Sequence, residues 1–540
     1  MSQSRVYVLG LDGATWTVLD PLLADGHMPN LARAVREGVR LVLRSTLPPG
    51  SMAAWTSFLT GVNPGYHGIY DFVDKRPGSY ELDYVTARSV GAPTILDLTS
   101  QAGRRVVSLN LPITYPVWPI NGAMVGGILS PGVGRSLTYP PGLFREMVAA
   151  VGEYTISVDI SGLTDDGVQQ FMSRLTAMER TRFEVARYLL ERFTPDLFLM
   201  NNYSLDTLQH QLWHLLDPRH PRHDPSHTLL AREFFAMIDQ HIGWFLDRLG
   251  PNDTLLIMSD HGFGPVHCRF DLTSWLAREG YLTLRGSAGA TRALVGIAKH
   301  LDILGLRHRF YGGRRLMRLR DRINSRALFD WPRTLAFLSS DSPYGLLYLN
   351  LLGREESGHV ELHEGEELLN ELSQQLLAVT DPLTGRCPVA AVHRREELFL
   401  GPYEDRAPDL VVVPAAGYTF FTRTPIRPDS LFESADSGST GTHLTDGMAV
   451  IYGAGAAYAS SFKECHIVAL APMVLQWVGV SVPSGVLVPL MTGQTGCLAD
   501  GTAEWIRWSR ATCPPPCALM ETSPEDMAHM SEQLRKLGYR

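Results

Sequence analysis

The sequence carries little of what marks membrane, exported or nucleic-acid-binding chains. No apolar run approaches the roughly 18 to 20 residues needed to cross a bilayer, which excludes a helical membrane span. The opening "MSQSRVYVLGLDG" has no basic start, apolar signal core or small-residue cleavage site, and reads as mature protein. A formal charge of −8 over 540 residues is mild, and no basic footprint of the kind that binds a nucleic acid polymer is present. Cysteine is scarce: six residues, at 268, 387, 465, 497, 513 and 517, with no CxxC pair. A thiol-reduced, cytoplasmic protein is the expectation, with Cys513 and Cys517 around three prolines read as tail residues rather than a disulfide. Tandem repeats and low-complexity tracts are absent.

What is present is a recurring short apolar run, a turn, then a helical stretch. That alternation is the signature of α/β chains with a largely parallel sheet. "RVYVLGLDG", "RRVVSLNLP", "PDLFLMNNYSLD", "NDTLLIMSDHG", "APDLVVVP" and "GMAVIYGAG" read as strands. "VQQFMSRLTAMERTRFEVARYLLERF" and "LLAREFFAMIDQHIGWFLDRL" carry apolar residues at three-to-four spacing and read as helices. The expected organisation is a core in two parts, residues 1–285 and 336–500, separated by an inserted basic helical cap at 286–335. A tail at 501–540 closes the chain, with a final helix starting at Ser523 or Pro524. The basic stretch from Arg307 to Arg326 admits three readings: a solvated helix face, capture of an anionic substrate, or peripheral contact with anionic lipid.

In open α/β sheets, ligands bind beyond the carboxyl ends of the strands. Three aspartates fall there: Asp12 ends "VYVLGLD", Asp206 shortly follows "LFLMNNYSL", and Asp260 ends "TLLIMSD". Histidines accompany two of them. Asp206 and His210 are four apart, so on a helix both face one side and reach one ion. Asp260 and His261 are adjacent, which suits a turn. His443 lies in the Gly-rich "SGSTGTHLTDG" ahead of the strand "MAVIYGAG". Each piece alone is also what an ordinary surface pair or solvated loop histidine looks like. Together, three Asp and three His form a mixed O/N donor set that suits zinc or manganese better than calcium or magnesium, and two ions near one another suit displacement at phosphorus.

Ser51 follows the Pro-Pro-Gly of "LPPGSMAAWTSF" where a helix can begin. A serine there is ordinarily a helix cap. A nucleophile assisted by a metal ion and by the positive end of its helix is the rarer reading of this stretch alone, and it is compatible with the cap. Other polar and aromatic residues read as structural: Asp71 as a turn or cap, His67 as part of its turn, Trp55 and Trp213 as core, and Asn201 and Asn202 as strand-end caps. For His214, orienting a ligand and packing in the core stand level.

The ordered set Asp12, Ser51, Asp206, His210, Asp260, His261, His443 resembles the alkaline phosphatase superfamily, specifically the type I phosphodiesterase/nucleotide pyrophosphatase branch and its bacterial phosphohydrolase or phosphomutase relatives. "LGLDGATW", "PPGSMAAWTSFLTGVNPGYHGIYDF", "LNLPITYP", "LDTLQHQLWHLLDPRHP", "MSDHGFG", "RAPDLVVV", "GTHLTDGMAVIYG" and the closing "LRKLGYR" all carry the likeness. The resemblance implies an alkaline-phosphatase-like core, a largely parallel sheet sandwiched by helices. It implies two divalent ions, zinc first and manganese as the competitor. Asp206, His210 and His443 would hold one, and Asp12, Asp260 and His261 the other, with Ser51 against that second ion as the residue transiently phosphorylated. The implied activity is hydrolysis of a phosphodiester, pyrophosphate or phosphomonoester on a small-molecule substrate. The sequence departs from the diesterases in having Ser rather than Thr at 51 and no Asn near Asp71 and Phe72, which leaves monoester hydrolysis open. Two alternatives are a phosphomutase and a non-enzymatic binding protein on this fold. A sulfatase is disfavoured because Ser51 is followed by Met-Ala-Ala-Trp, without the required proline and arginine. Oligomeric state is not written in the sequence.

Overall fold

The computed structural model describes residues 4–160, 163, 167–285, 329–423, 426–435, 438–491, 495–513 and 523–536. The inserted basic cap expected at 286–335 falls mostly on 286–328 and so lies outside the described residues, as does the Arg307–Arg326 stretch.

Among the described residues, nine strands build the central sheet: β1 (Val6–Leu11), β2 (Val39–Arg44), β3 (Val106–Leu111), β4 (Gly122–Gly126), β5 (Thr138–Tyr139), β6 (Leu197–Asn202), β7 (Thr254–Met258), β8 (Asp446–Gly453) and β9 (Glu464–His466). Their spatial order is β9-β2-β8-β7-β1-β6-β3-β4-β5. Only β8 and the short edge strand β5 run against the rest. The largely parallel α/β sandwich expected from the sequence is therefore the fold. Strand β1 reads as an unbroken apolar run because both of its faces are covered. Val6 and Val8 join the layer containing Trp55 and Phe58, whereas Tyr7, Leu9 and Leu11 join the opposite layer with Phe234 and Phe245.

Helix α1 (Ser51–Thr60) packs on the first layer; α2 (Val168–Phe193), α3 (Ser204–Leu216) and α4 (Pro225–Leu246) form the second. The expected helix over "VQQFMSRLTAMERTRFEVARYLLERF" coincides with α2 residue for residue. Near the carboxyl terminus, α5 (Thr495–Thr512) and α6 (Pro524–Lys536) follow. Ser523 and Asp526 exchange backbone-to-side-chain hydrogen bonds that cap α6. Trp505 of α5 is fully buried and donates to the Thr60 carbonyl at the end of α1. Gly61 stops α1 at φ +68, and a Cβ there would lie 2.8 Å from the Trp505 indole nitrogen, so glycine satisfies both the left-handed turn and the contact. Cys513, just past α5, is buried.

One strand expected in the main sheet sits elsewhere. "APDLVVVP" forms Leu410–Pro414, but it pairs antiparallel with Gly345–Leu349 and Val389–Arg394 in a separate four-stranded sheet that has its own core around Phe337, Tyr348 and Leu372. A fully buried apolar strand looks alike in either sheet, and only its partners distinguish them. Between the units, Gly262–Asp271 leaves the end of β7 and pairs antiparallel with Gly441–Leu444.

Candidate metal centre

The carboxyl ends of β1, β6 and β7 lie side by side, because those strands are parallel neighbours. Asp12 directly follows β1. After β6, one intervening residue precedes α3, whose first turn carries Asp206, with His210 one turn on. Asp260 and His261 occupy the bend after β7. His443 arrives by a different route. Because β8 is antiparallel, its first residue rather than its last lies on this rim, and the pairing of Phe263 with His443 sets the imidazole level with His261. All six side chains are buried.

Two donor clusters result, and they share an edge. His443 Nε2 lies 3.1 Å from Asp206 Oδ1 and 2.8 Å from His210 Nε2, and His210 Nε2 is 3.4 Å from the same Asp206 oxygen. In the second cluster, His261 Nε2 is 3.3 Å from Asp260 Oδ2 and 3.7 Å from Asp12 Oδ1. Donor atoms of Asp206, His261 and His443 also converge, so His261 adjoins both clusters, and its ring stacks on that of His443 with centroids 3.8 Å apart.

The tautomers identify what this arrangement wants. The Nδ1 of His443 faces the Pro49 carbonyl at 2.9 Å, that of His210 the Gly441 carbonyl at 3.1 Å, and that of His261 the Gly262 carbonyl at 3.1 Å. A carbonyl only accepts, so each Nδ1 donates and each Nε2 is left as a lone pair aimed inward. Two such lone pairs at 2.8 Å repel unless a cation lies at their focus. A proton is a poor one, because burial lowers His210 and His261 to about 4 and also lowers His443. The carboxylates split. Burial, reinforced by the neighbouring acids, raises Asp12 well above its ordinary value and Asp260 to about 7. Burial also acts on Asp206 but is outweighed there by the three imidazoles, which bring it to about 2. Mixed N/O donors with inward lone pairs and uncompensated acid fit a divalent metal.

Ser51 opens α1, but it is not the cap. Gly50 occupies that position and no side chain caps the helix. The hydroxyl turns to the rim instead, with Oγ 3.2 Å from His261 Nε2 and 3.4 Å from Asp12 Oδ1. The residues read as structural divide. His67 is buried, engaging Ser57 Oγ and the Ile69 amide. Asp71 accepts from Ser340 Oγ and the Phe72 amide, clasping the second unit to the first. His214 Nδ1 meets Thr440 Oγ1, and the Thr440 amide donates to the His210 carbonyl, so this pair braces the loop that delivers His443. Two contributors were missed by sequence reasoning. Trp55 is core, yet its Nε1 donates to Asp12 Oδ2 at 2.9 Å, and Asn201 Nδ2 donates to the same oxygen at 2.7 Å. Asn201 precedes Asp206 at the rim of β6, and that position was its only signal.

A parallel sheet clothed on both faces, with Asp/His clusters and a helix-opening serine on its carboxyl rim, defines a metal-dependent phosphoester hydrolase of the alkaline-phosphatase-like fold. The chain belongs to the type I phosphodiesterase / nucleotide pyrophosphatase family, whose model matches residues 6–440. It is a hydrolase acting on phosphoric esters. Among solved structures it is similar to phosphonoacetate hydrolase from Sinorhizobium meliloti 1021 in complex with phosphonoacetate, at 18% identity and a TM-score of 0.50 over 83% of this chain and 89% of that one. Murine ectonucleotide pyrophosphatase / phosphodiesterase 5 in complex with AMP is also similar, at 13% identity and 0.49 over 89% and 96%. No curated protein matches. Among the described residues, no helix is long and apolar enough to cross a membrane.

Proposed function

We propose that this chain hydrolyses small phosphate esters through a phosphoserine at Ser51, with two divalent cations, zinc or manganese. Asp206, His210 and His443 would hold one ion and Asp12, Asp260 and His261 the other. Bound there, the cations supply charge neutralisation for the phosphoryl oxygens and acidify the attacking oxygen.

The chain's own groups do the rest. Ser51 Oγ attacks phosphorus, the ester P–O bond breaks, and the serine proton ends on the departing oxygen, so that the leaving group is released as an alcohol or acid. Water then attacks the phosphoserine, the Oγ–P bond breaks, and the hydroxyl is restored as phosphate or a phosphomonoester departs. The first-turn amides of α1 have no intrahelical acceptors, and together with the helix dipole they favour anionic oxygens beside Ser51. The three backbone carbonyls behind the imidazoles keep every Nε2 deprotonated and aimed inward.

What carries the reading is the meeting of Ser51 Oγ with His261 Nε2 and Asp12 Oδ1 at 3.2 and 3.4 Å, next to two ligand-competent clusters. Asp71, bound to Ser340, does not offer the amide donor that the diesterases have nearby, which favours monoesters alongside diesters. The test is to strip the protein of metal, restore zinc or manganese in turn, and assay a chromogenic monoester, a chromogenic diester, a nucleotide pyrophosphate and phosphonoacetate. Ser51→Ala should keep its metal and lose about 10³-fold or more in kcat. Full turnover in that variant refutes the nucleophile.

A further inference from the structure

We propose that Asn201 and Trp55 are positioning residues that fix the plane of the Asp12 carboxylate, so that Oδ1 alone is offered toward Ser51 and His261. This rests on the cation-binding reading of Asp12 given above.

The two carboxylate oxygens have divided roles. Oδ2 receives both N–H donors, the Trp55 indole at 2.9 Å and the Asn201 amide at 2.7 Å. Oδ1 faces Ser51 Oγ at 3.4 Å and His261 Nε2 at 3.7 Å. Rotation about the Cβ–Cγ bond, which would swing Oδ1 off the site or present both oxygens at once, breaks both donor bonds. The donors also come from separate elements. Trp55 stands one turn after Ser51 on α1, so its bond ties the nucleophile's helix to the end of β1. Asn201 sits on β6, paired with Gly10.

Three further observations show that the surrounding fold is arranged around these bonds. A Cβ on Gly10 would fall 2.4 Å from the Trp55 ring and 2.9 Å from Asn201 Oδ1, so both donors reach Asp12 only across a residue with no side chain. Asn201 is itself anchored: its carbonyl accepts from Asn110 Nδ2 at 2.9 Å, and Asn110 holds the left-handed φ of +59. Finally, Asn201 Oδ1 is buried with no hydrogen-bond partner among the described residues. An orphaned acceptor in a core is costly, and an aliphatic side chain there would serve folding better. Stability therefore does not explain an asparagine at 201, whereas its donor on Asp12 does.

Stability and function consequently move in opposite directions. Asn201→Leu removes the orphan oxygen along with the donor. The metal-free variant should melt at or above the wild-type temperature, while its affinity for manganese, measured by chelator competition, weakens about 10- to 100-fold at one of two sites. kcat should fall with KM little changed. Trp55→Phe, which keeps a ring and loses the N–H, should weaken the same site and lower kcat in the same way, with some loss of melting temperature from the smaller ring in a buried position. Trp477→Phe is the control, because that buried indole nitrogen has no partner among the described residues. If Asn201→Leu folds poorly, Asn201→Ala removes the donor without adding bulk. Wild-type affinity and kcat in both the position-201 and position-55 variants would overturn this inference alone. A wild-type chain that binds no manganese or zinc would overturn the cation reading and this inference with it.

Discussion

The two clusters should load metal with different pH dependence, and the difference can be worked out from the acids. Asp260 is pushed to about 7, chiefly by burial and secondarily by Asp206. Its cluster must therefore shed a proton to bind a cation throughout the acid range. With a value of 7, about 3% of the carboxyl is ionised at about pH 5.5 and about 76% at about pH 7.5, so apparent affinity rises about 25-fold, or about 1.9 kcal/mol. Asp12, raised by the same burial, steepens this further. In the other cluster Asp206 is at about 2 and His210 at about 4, so both are already ligand-competent at the lower pH and affinity there should change little. The sign for folding follows from the same shift. A carboxyl whose folded value is raised favours the metal-free fold below its unfolded value, about 3.9, and that contribution is lost as pH rises toward about 7. Divalent metal should therefore stabilise the protein more at the higher pH. Calorimetric manganese titration at the two pH values, with elemental analysis, is the assay: one tight ion per chain in acid and two near neutrality. Equal shifts at both sites, or a single ion at the higher pH, would refute the assignment of the acids to separate clusters.

Other perturbations test the scaffold. Arg182 and Glu179 on α2 form a fully buried pair, and Glu179 Oε2 also accepts from Ser204 Oγ at 2.7 Å, where α3 begins. Arg182→Met should cost about 3–5 kcal/mol by stranding the carboxylate, and adding Glu179→Leu should recover much of it in thermal denaturation. Gly10→Ala should destabilise by about 1–3 kcal/mol through overpacking against Trp55, measured by urea unfolding, with weaker metal binding as well. Trp505→Ala should cost about 3–5 kcal/mol, because α5 loses the side chain that seats it against Thr60 and Gly61.

Much of the architecture was readable because it is written locally. Burial on both faces makes β1, β6 and β7 continuous apolar runs, and a long amphipathic repeat delimits α2 at both ends. The polar residues ending those runs fall on one rim in any parallel sheet, so Asp12, Asp206 and Asp260 could be collected before any contact was known. The i, i+4 spacing of Asp206 and His210 needed only the helix.

Other features depended on pairings across hundreds of positions, for which a short stretch of chain carries no signal. Leu410–Pro414 looks like any buried strand, and its place in a second sheet is decided by its neighbours. Ser51 has the sequence of a cap, but Gly50 takes that place and leaves the hydroxyl to the rim. His443 reaches the site because β8 runs antiparallel. The donors on Asp12 are a tryptophan that reads as core and an asparagine that reads as a strand end, and they work only because Gly10 lets both approach. The sequence by itself determined which chemical groups stand at which strand ends, since burial and periodicity act over a few residues. Tertiary structure alone decided which oxygen and which nitrogen face one another, since that depends on strand direction and packing between distant segments.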